Sequence, residues 1–145
     1  MNTIRQLLTK KGAEVWSTSP DASVYDALLL LAEKNIGALV VLEGSAVKGI
    51  MSERDYAREV DLRARTSKST SVKQIMTQKV IFIRPDNTVE ECMALMSHKR
   101  IRHLPVMDGD NLVGLISIGD VVKTIISEQK YMLRQLEDYI MGEQR

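Results

Sequence analysis

Two short stretches carry side chains whose types and spacing could do chemistry, and each is a near copy of the other. Gly49-Ile50-Met51-Ser52-Glu53-Arg54-Asp55 and Gly114-Leu115-Ile116-Ser117-Ile118-Gly119-Asp120 both close an apolar run with a serine and, three residues on, an aspartate. A carboxylate only accepts hydrogen bonds and can take two hydroxyls at once, which suits a vicinal diol. A serine at a helix start sits beside free backbone N–H groups and the positive end of the helix dipole, which suit an anion. Arg54 and Arg58, four apart on one helical face, together with Arg102 and His103, could supply counter-charge. Each feature also has a plainer reading. Ser-x-x-Asp is a helix capping box that needs no ligand, Arg54 and Arg58 could form a solvated face, and His103 could be a satisfied strand residue.

No catalytic constellation accompanies these residues. The sequence holds no Ser-His-Asp or Cys-His set at plausible spacing, no paired metal ligands, no Walker A motif and no GxGxxG. The single Cys92 cannot form an internal disulfide and reads as a buried structural thiol. The eight methionines read as core filler, and His98 as the exposed end of a helix. Trp16 reads as a packed aromatic, with stacking on a base as the alternative.

Twenty Lys plus Arg against nineteen Asp plus Glu leave a formal charge of +1, so any charge-based function must be local. That balance, with 4% aromatic residues, disfavours nucleic acid as a partner. No apolar run approaches the ~20 residues of a membrane helix, and residues 1–11 lack a signal-peptide core. No membrane association is expected, and the expected compartment is the cytoplasm.

The elements that must position these residues come as a repeat. Shifted by 65 residues, 15–55 aligns with 80–120 without a gap, and thirteen positions are identical: Val15/Val80, Pro20/Pro85, Asp21/Asp86, Val24/Val89, Leu30/Leu95, Lys34/Lys99, Ile36/Ile101, Leu39/Leu104, Val41/Val106, Gly44/Gly109, Gly49/Gly114, Ser52/Ser117 and Asp55/Asp120. Unrelated segments of that length should match at roughly two or three positions, so the duplication is real. Each copy predicts a short strand (Val80–Ile83 in the second), a capped helix, a hairpin and a second helix. The first helix of each copy should bury Val24, Ala27, Leu28 and Leu31, or Val89, Cys92, Met93 and Met96. The hairpin pairs 38–42 with 47–51 in the first copy and 104–107 with 112–116 in the second.

A βαββα unit with both helices on one side of its sheet leaves apolar surface open, and a second copy related by a pseudo-twofold would cover it. The expected fold is therefore α/β (α+β), two βαββα repeats packed through their sheets, with helical extensions at both ends. The expected divisions are an extension over 1–12, repeats over 13–65 and 73–128, a polar linker over 66–72, and a second extension over 129–145. Two related clefts should lie between the copies.

The duplicated Gly-hydrophobic-x-Ser-x-x-Asp signature, with Arg102-His103-Leu104-Pro105-Val106 on the second strand of copy two, resembles a tandem CBS-domain pair, or Bateman module. The resemblance covers about 13–126. It implies a non-catalytic regulatory sensor of an adenosyl ligand: AMP, ADP, ATP, NAD or S-adenosylmethionine. It implies that Asp55 and Asp120 hold ribose hydroxyls, that Ser52 and Ser117 help hold the first phosphate, and that backbone near Ile36, Gly37 and Ala38 and near Ile101, Arg102 and His103 reads the adenine edge. Copy one departs from the pattern, with Val40 for Pro105, Gly37-Ala38 for Arg102-His103 and Glu53-Arg54 for Ile118-Gly119. The clefts should therefore differ, with copy two the favoured site.

Val122, Ile125, Ile126, Leu133, Leu136 and Ile140 give the last segment an apolar face beyond the repeat. A homodimer contact is expected there, and folding back onto the module with Ile4, Leu7 and Leu8 is the alternative. The competing function is a scaffolding pair with no physiological ligand. The effector protein that would receive a signal is not encoded in any attached domain.

Overall fold

The computed structural model describes residues 2–142. In chain order the elements are α1 (Ile4–Lys11), β1 (Ser17–Thr18), α2 (Val24–Lys34), β2 (Ala38–Glu43), β3 (Ala46–Ser52), α3 (Glu53–Tyr56, widening into a π-helical turn over Ala57–Asp61), α4 (Val72–Ile75), α5 (Val89–Lys99), β4 (His103–Asp108), β5 (Asn111–Ser117) and α6 (Ile118–Gly142). Each helix start follows its local chemistry. The hydroxyls of Thr3, Ser23, Ser52 and Thr88 accept the N–H three residues on, and at Thr88 the Glu91 carboxylate returns the bond to the cap amide.

The two hairpins match residue for residue. β2 pairs antiparallel with β3 and β4 with β5, each through a two-residue turn, with Leu39 opposite Met51 and Leu104 opposite Ile116. The first strands differ. Ser17–Thr18 pairs parallel with Val40–Val41, and the Val40 N–H donates to the Trp16 carbonyl. In the second repeat the expected strand over Val80–Ile83 is reduced to one bridge between Ile83 and Val106. Pro105, at the position of Val40, has no N–H to offer, so that ladder cannot be built.

Two separate cores form. One gathers Val24, Ala27, Leu31, Leu39, Val41, Met51 and Val60, the other Val89, Cys92, Met96, Leu104, Val106, Ile116 and Val121. Met93, expected in the second, is 42% exposed. Val89, Cys92 and Met96 already fill the inward face, and Met93 lies one residue, about 100°, round the helix from Cys92. β2 is buried on both faces. Leu39 and Val41 enter the first core, while Ala38 and Val40 are equally buried and point the other way.

The helices that finish the cores are exchanged. Ile4, Leu7 and Leu8 of α1 belong to the core of the second repeat, where the Ile4 N–H donates to the Asn87 carbonyl and the Val89 N–H to that of Asn2. Val72 and Ile75 of α4 belong to the first, where the Val72 N–H donates to the Ala22 carbonyl and the Val24 N–H to that of Thr70. The segment 66–72, expected as a polar linker, is thus part of the fold, with Thr70 buried. Each such apolar side chain withdrawn from water contributes ~1.5–3 kcal/mol before entropy is counted. The exchange also explains the paired glycines. A Cβ at Gly49 would lie 2.7 Å from the Thr77 carbonyl oxygen, and one at Gly114 would lie 2.6 Å from a Leu8 methyl. The C-terminal segment does not start a separate element at 129. It continues α6 as one helix through Gly142.

Candidate ligand-binding cleft

The C-terminal end of β3 and the start of α3 bring Ser52, Arg54, Asp55 and Arg58 to a cleft of about 400 Å³. Its opposite wall comes from the other repeat: Thr77, Lys79, Val80 and Ile81 from the segment after α4, and Arg100 to His103 from the approach to β4. Gly37 joins the same cleft, and a Cβ there would stand 3.6 Å from the His103 imidazole. The candidate residues of the two copies are therefore mixed. Arg102 and His103 face Asp55, whose motif lies in the first copy. Ile36 packs against the first core and Ala38 is buried, so neither lines this cleft.

Both Ser-x-x-Asp motifs do form capping boxes. The Ser52 N–H donates to Asp55 Oδ2 at 2.9 Å and the Asp55 N–H to Ser52 Oγ at 3.2 Å, while the corresponding distances at Ser117 and Asp120 are 2.8 and 3.2 Å. The main chain in front matches too. Gly37 and Arg102 accept the N–H of Glu53 and Ile118 at 3.0 and 2.8 Å. Capping leaves a carboxylate with spare acceptor capacity. At Asp55 the bonds from Ser52 converge on Oδ2, and Oδ1 has no partner among the described residues.

The two carboxylates sit in opposite electrostatic states. Burial pushes the Asp55 carboxyl above the usual carboxylate range, against the hydrogen bonds from Ser52, with Glu59 raising it further and Arg58 lowering it. Burial would push Asp120 up as well, but the Lys11 ammonium, 2.6 Å from Oδ2, and the Ser117 hydrogen bonds outweigh it and hold the group low. Asp120 lies in a groove between α1 and α6 with Lys10, Lys11 and Lys123. Ser117 and Gly119 are not among the residues lining either cavity.

Five basic side chains (Arg54, Arg58, Lys79, Arg100 and Arg102) line the Asp55 cleft against Glu53 and Asp55 alone. This is the local positive charge that the near-neutral composition requires of any anion site. Burial, then the nearby Lys11 charge, holds His103 below its usual pKa, so its imidazole is neutral at pH 7 and can accept as well as donate. Arg100 caps α5 in the left-handed region at φ 55°, where the matching residue of the first repeat is Asn35 at φ 54°. Asn tolerates that conformation better than Arg.

The residues that sequence reasoning missed are Thr77, Lys79, Val80, Ile81 and Arg100, together with Lys11. Val80 and Ile81 were visible only as part of the repeat match and of the expected strand Val80–Ile83, and nothing in the spacing tied them to Asp55. Trp16 is a packed aromatic of the first core, with the Lys34 ammonium 4.1 Å from its ring centre. Cys92 is fully buried and its thiol is pushed up to about 12 by burial and the Asp120 charge.

Tandem βαββα repeats with exchanged helices and a cation-lined cleft between them define a class of paired modules. The chain belongs to the CBS-domain family: the CBS domain pattern matches residues 4–61 and again 72–127. It is 41% identical over 150 residues, 97% of this chain and 72% of the other, to the mitochondrial CBS domain-containing protein CBSX3 of Arabidopsis thaliana. The solved structure of a protein with CBS domains from Burkholderia ambifaria MC40-6 superposes with a TM-score of 0.85 at 50% identity, covering 88% of this chain and 96% of that one. A hexameric CBS-CP12 protein from bloom-forming cyanobacteria superposes with a TM-score of 0.74 at 28% identity, over 83% and 70% of the two chains. Proteins of this kind commonly act as regulatory modules. No helix among the described residues is long and apolar enough to cross a membrane.

The opposite states of the two aspartates give opposite stability effects. A raised carboxyl costs folding stability wherever it is ionised, so Asp55→Asn should raise the melting temperature at pH 7 and lose that advantage as pH falls below the usual carboxylate range. A lowered one contributes stability above that range, so Asp120→Asn should lower the melting temperature at pH 7, through a loss of about 0.2–1 kcal/mol of stability for a partly exposed pair. Thermal melts of both variants check this, and shifts of the same sign would contradict it.

Proposed function

We propose that the chain is a non-catalytic sensor that binds an adenosyl ligand (AMP, ADP, ATP or NAD) in the cleft between its repeats and signals occupancy through conformation or affinity for an effector protein. The observation that carries this reading is Asp55. Its carboxylate is kept half-buried with no ion-pair partner among the described residues and with Oδ1 unbonded, in a cleft otherwise rich in cations. A group held at a cost to stability is characteristic of a functional site.

In this reading Asp55 takes the ribose hydroxyls, and the start of α3 with Ser52, Arg54 and Arg58 takes the phosphate. Backbone at Ile101 to His103 meets the adenine edge. The ligand touches both repeats at once, so it favours whichever relative arrangement of them fits it best, and a signal follows only from that difference in affinity. The lining groups supply charge and hydrogen bonds for holding a nucleotide.

Self-association belongs to the same reading. Val122, Ile126, Leu133, Leu136 and Ile140 are 41–59% exposed and fall at spacings of four, seven, three and four along α6, a coiled-coil seam interrupted at Gln129. A second copy laying its own α6 along this stripe would cover it as a homodimer.

Calorimetry with AMP, ADP, ATP and NAD tests the ligand assignment. At least one should bind the wild type, and Asp55→Ala should weaken it roughly 10- to 150-fold, the ~1.5–3 kcal/mol of hydrogen bonds to a charged group. Absence of binding at millimolar ligand, with the fold intact, would instead mark a scaffolding module. For assembly, sedimentation should show a dimer that Leu133→Lys with Leu136→Lys converts to a monomer. A monomeric wild type, or a dimer that survives both changes, would refute the seam.

A further inference from the structure

One oxygen of the second signature aspartate, Oδ2, is already held by the chain itself. Lys11, the last residue of α1, places Nζ 2.6 Å from Asp120 Oδ2 and 2.5 Å from the Leu115 carbonyl oxygen. In the other half of the molecule the matching carbonyl, that of Ile50, accepts the Thr77 main-chain N–H at 2.8 Å, and Asp55 has no cation paired with it among the described residues. A side-chain ammonium thus stands where the other half uses backbone. Its base is fixed, because Ile4, Leu7 and Leu8 tie α1 into the second core. Its tip is free to move, because the ammonium end of a lysine swings on four single bonds.

Around this pair lies a cavity of about 1120 Å³, larger than the Asp55 cleft and running between α1 and α6. Lys123 stands three residues after Asp120, as Arg58 does after Asp55. Lys130 and Arg134 continue the basic stripe on the same side of α6, at spacings of seven and four, and Lys10 faces them from α1. From Lys123 to Arg134 the stripe extends about 16 Å along the helix. Tyr131 also lines the groove, as do Glu90 and Glu128, which with Asp120 make three acids against five basic side chains.

We propose that Lys11 is a specificity-determining residue that makes the Asp120 site selective for nucleotides carrying an extended polyphosphate. This rests on the adenosyl reading above and concerns the half of the molecule that reading leaves unassigned. A ligand offering only a diol competes with the ammonium for the Asp120 carboxylate and leaves Lys11 the Leu115 carbonyl alone. A ligand offering a diol and several phosphates releases Lys11 from the carboxylate and takes it up again on a phosphate oxygen, with Lys123, Lys130 and Arg134 along the tail. The Asp55 cleft has no such competitor and does not discriminate in this way.

The test uses Asp55→Ala as background, so that the Asp55 site is weakened about tenfold or more and the Asp120 site dominates binding, with adenosine and ATP as probes. Lys11→Met keeps the stem and removes the charge. It should tighten adenosine about two- to fivefold, the worth of a partly exposed ion pair, and weaken ATP tenfold or more, as loss of charge-assisted phosphate bonds implies. Lys11→Arg should restore ATP binding, and a melting curve checks that each variant folds. Affinities that move in the same direction, or a ratio that does not change, would overturn the proposal. So would failure of ATP to bind the Asp55→Ala protein, and in that case AMP binding to Asp120→Ala shows whether the Asp55 reading still stands. If no adenosyl compound binds either protein, both readings fall.

Discussion

Neither repeat can bury its own apolar surface, and the rest of the structure follows from that constraint. A small sheet with helices on one face leaves the other bare, and β2 shows the consequence in Ala38 and Val40, fully buried on the side away from its own helices. Each core is also unfinished without a helix taken from the segment that precedes the other repeat. Chains of this length bury a limited fraction of their surface, so the two halves stand or fall together.

The same exchange builds the cleft. Because the segment after α4 crosses to bond with Ile50, Lys79, Val80 and Ile81 arrive opposite Asp55. A motif that looks self-contained along the chain is completed by residues 22 and more positions away from Asp55. One duplicated signature then yields two unlike carboxylates. Asp55 lies among cations without pairing to any, and Asp120 is bound to Lys11. The capping box, offered as an alternative to a ligand role, is present at both and excludes neither, since a cap uses only part of what a carboxylate can accept.

Much of this was legible in the sequence. The identities at Leu39/Leu104, Gly49/Gly114 and Asp55/Asp120 gave the duplication, and capping residues and apolar spacing gave the helices and hairpins, because these depend on neighbours within a few positions. What was not legible depends on contacts between distant segments. The strand at Val80–Ile83 failed because its partner is a proline, a fact about position 105 rather than 80. Met93 failed because three better-placed residues had filled the face. Copy two read as the favoured site because Arg102 and His103 fit the motif, yet they line the cleft that holds the first copy's aspartate. Lys11 carries no motif at all, and only the docking of α1 brings it to Asp120.

The central claim is that the repeats form one mixed site around Asp55, and a crystal structure grown with AMP tests it most directly. The account predicts the ribose hydroxyls on the Asp55 carboxylate, the phosphate at Ser52, Arg54 and Arg58, and the adenine beside Ile101 to His103 of the other repeat. A nucleotide bound wholly within one repeat, or a cleft that stays empty at saturating AMP, would contradict it.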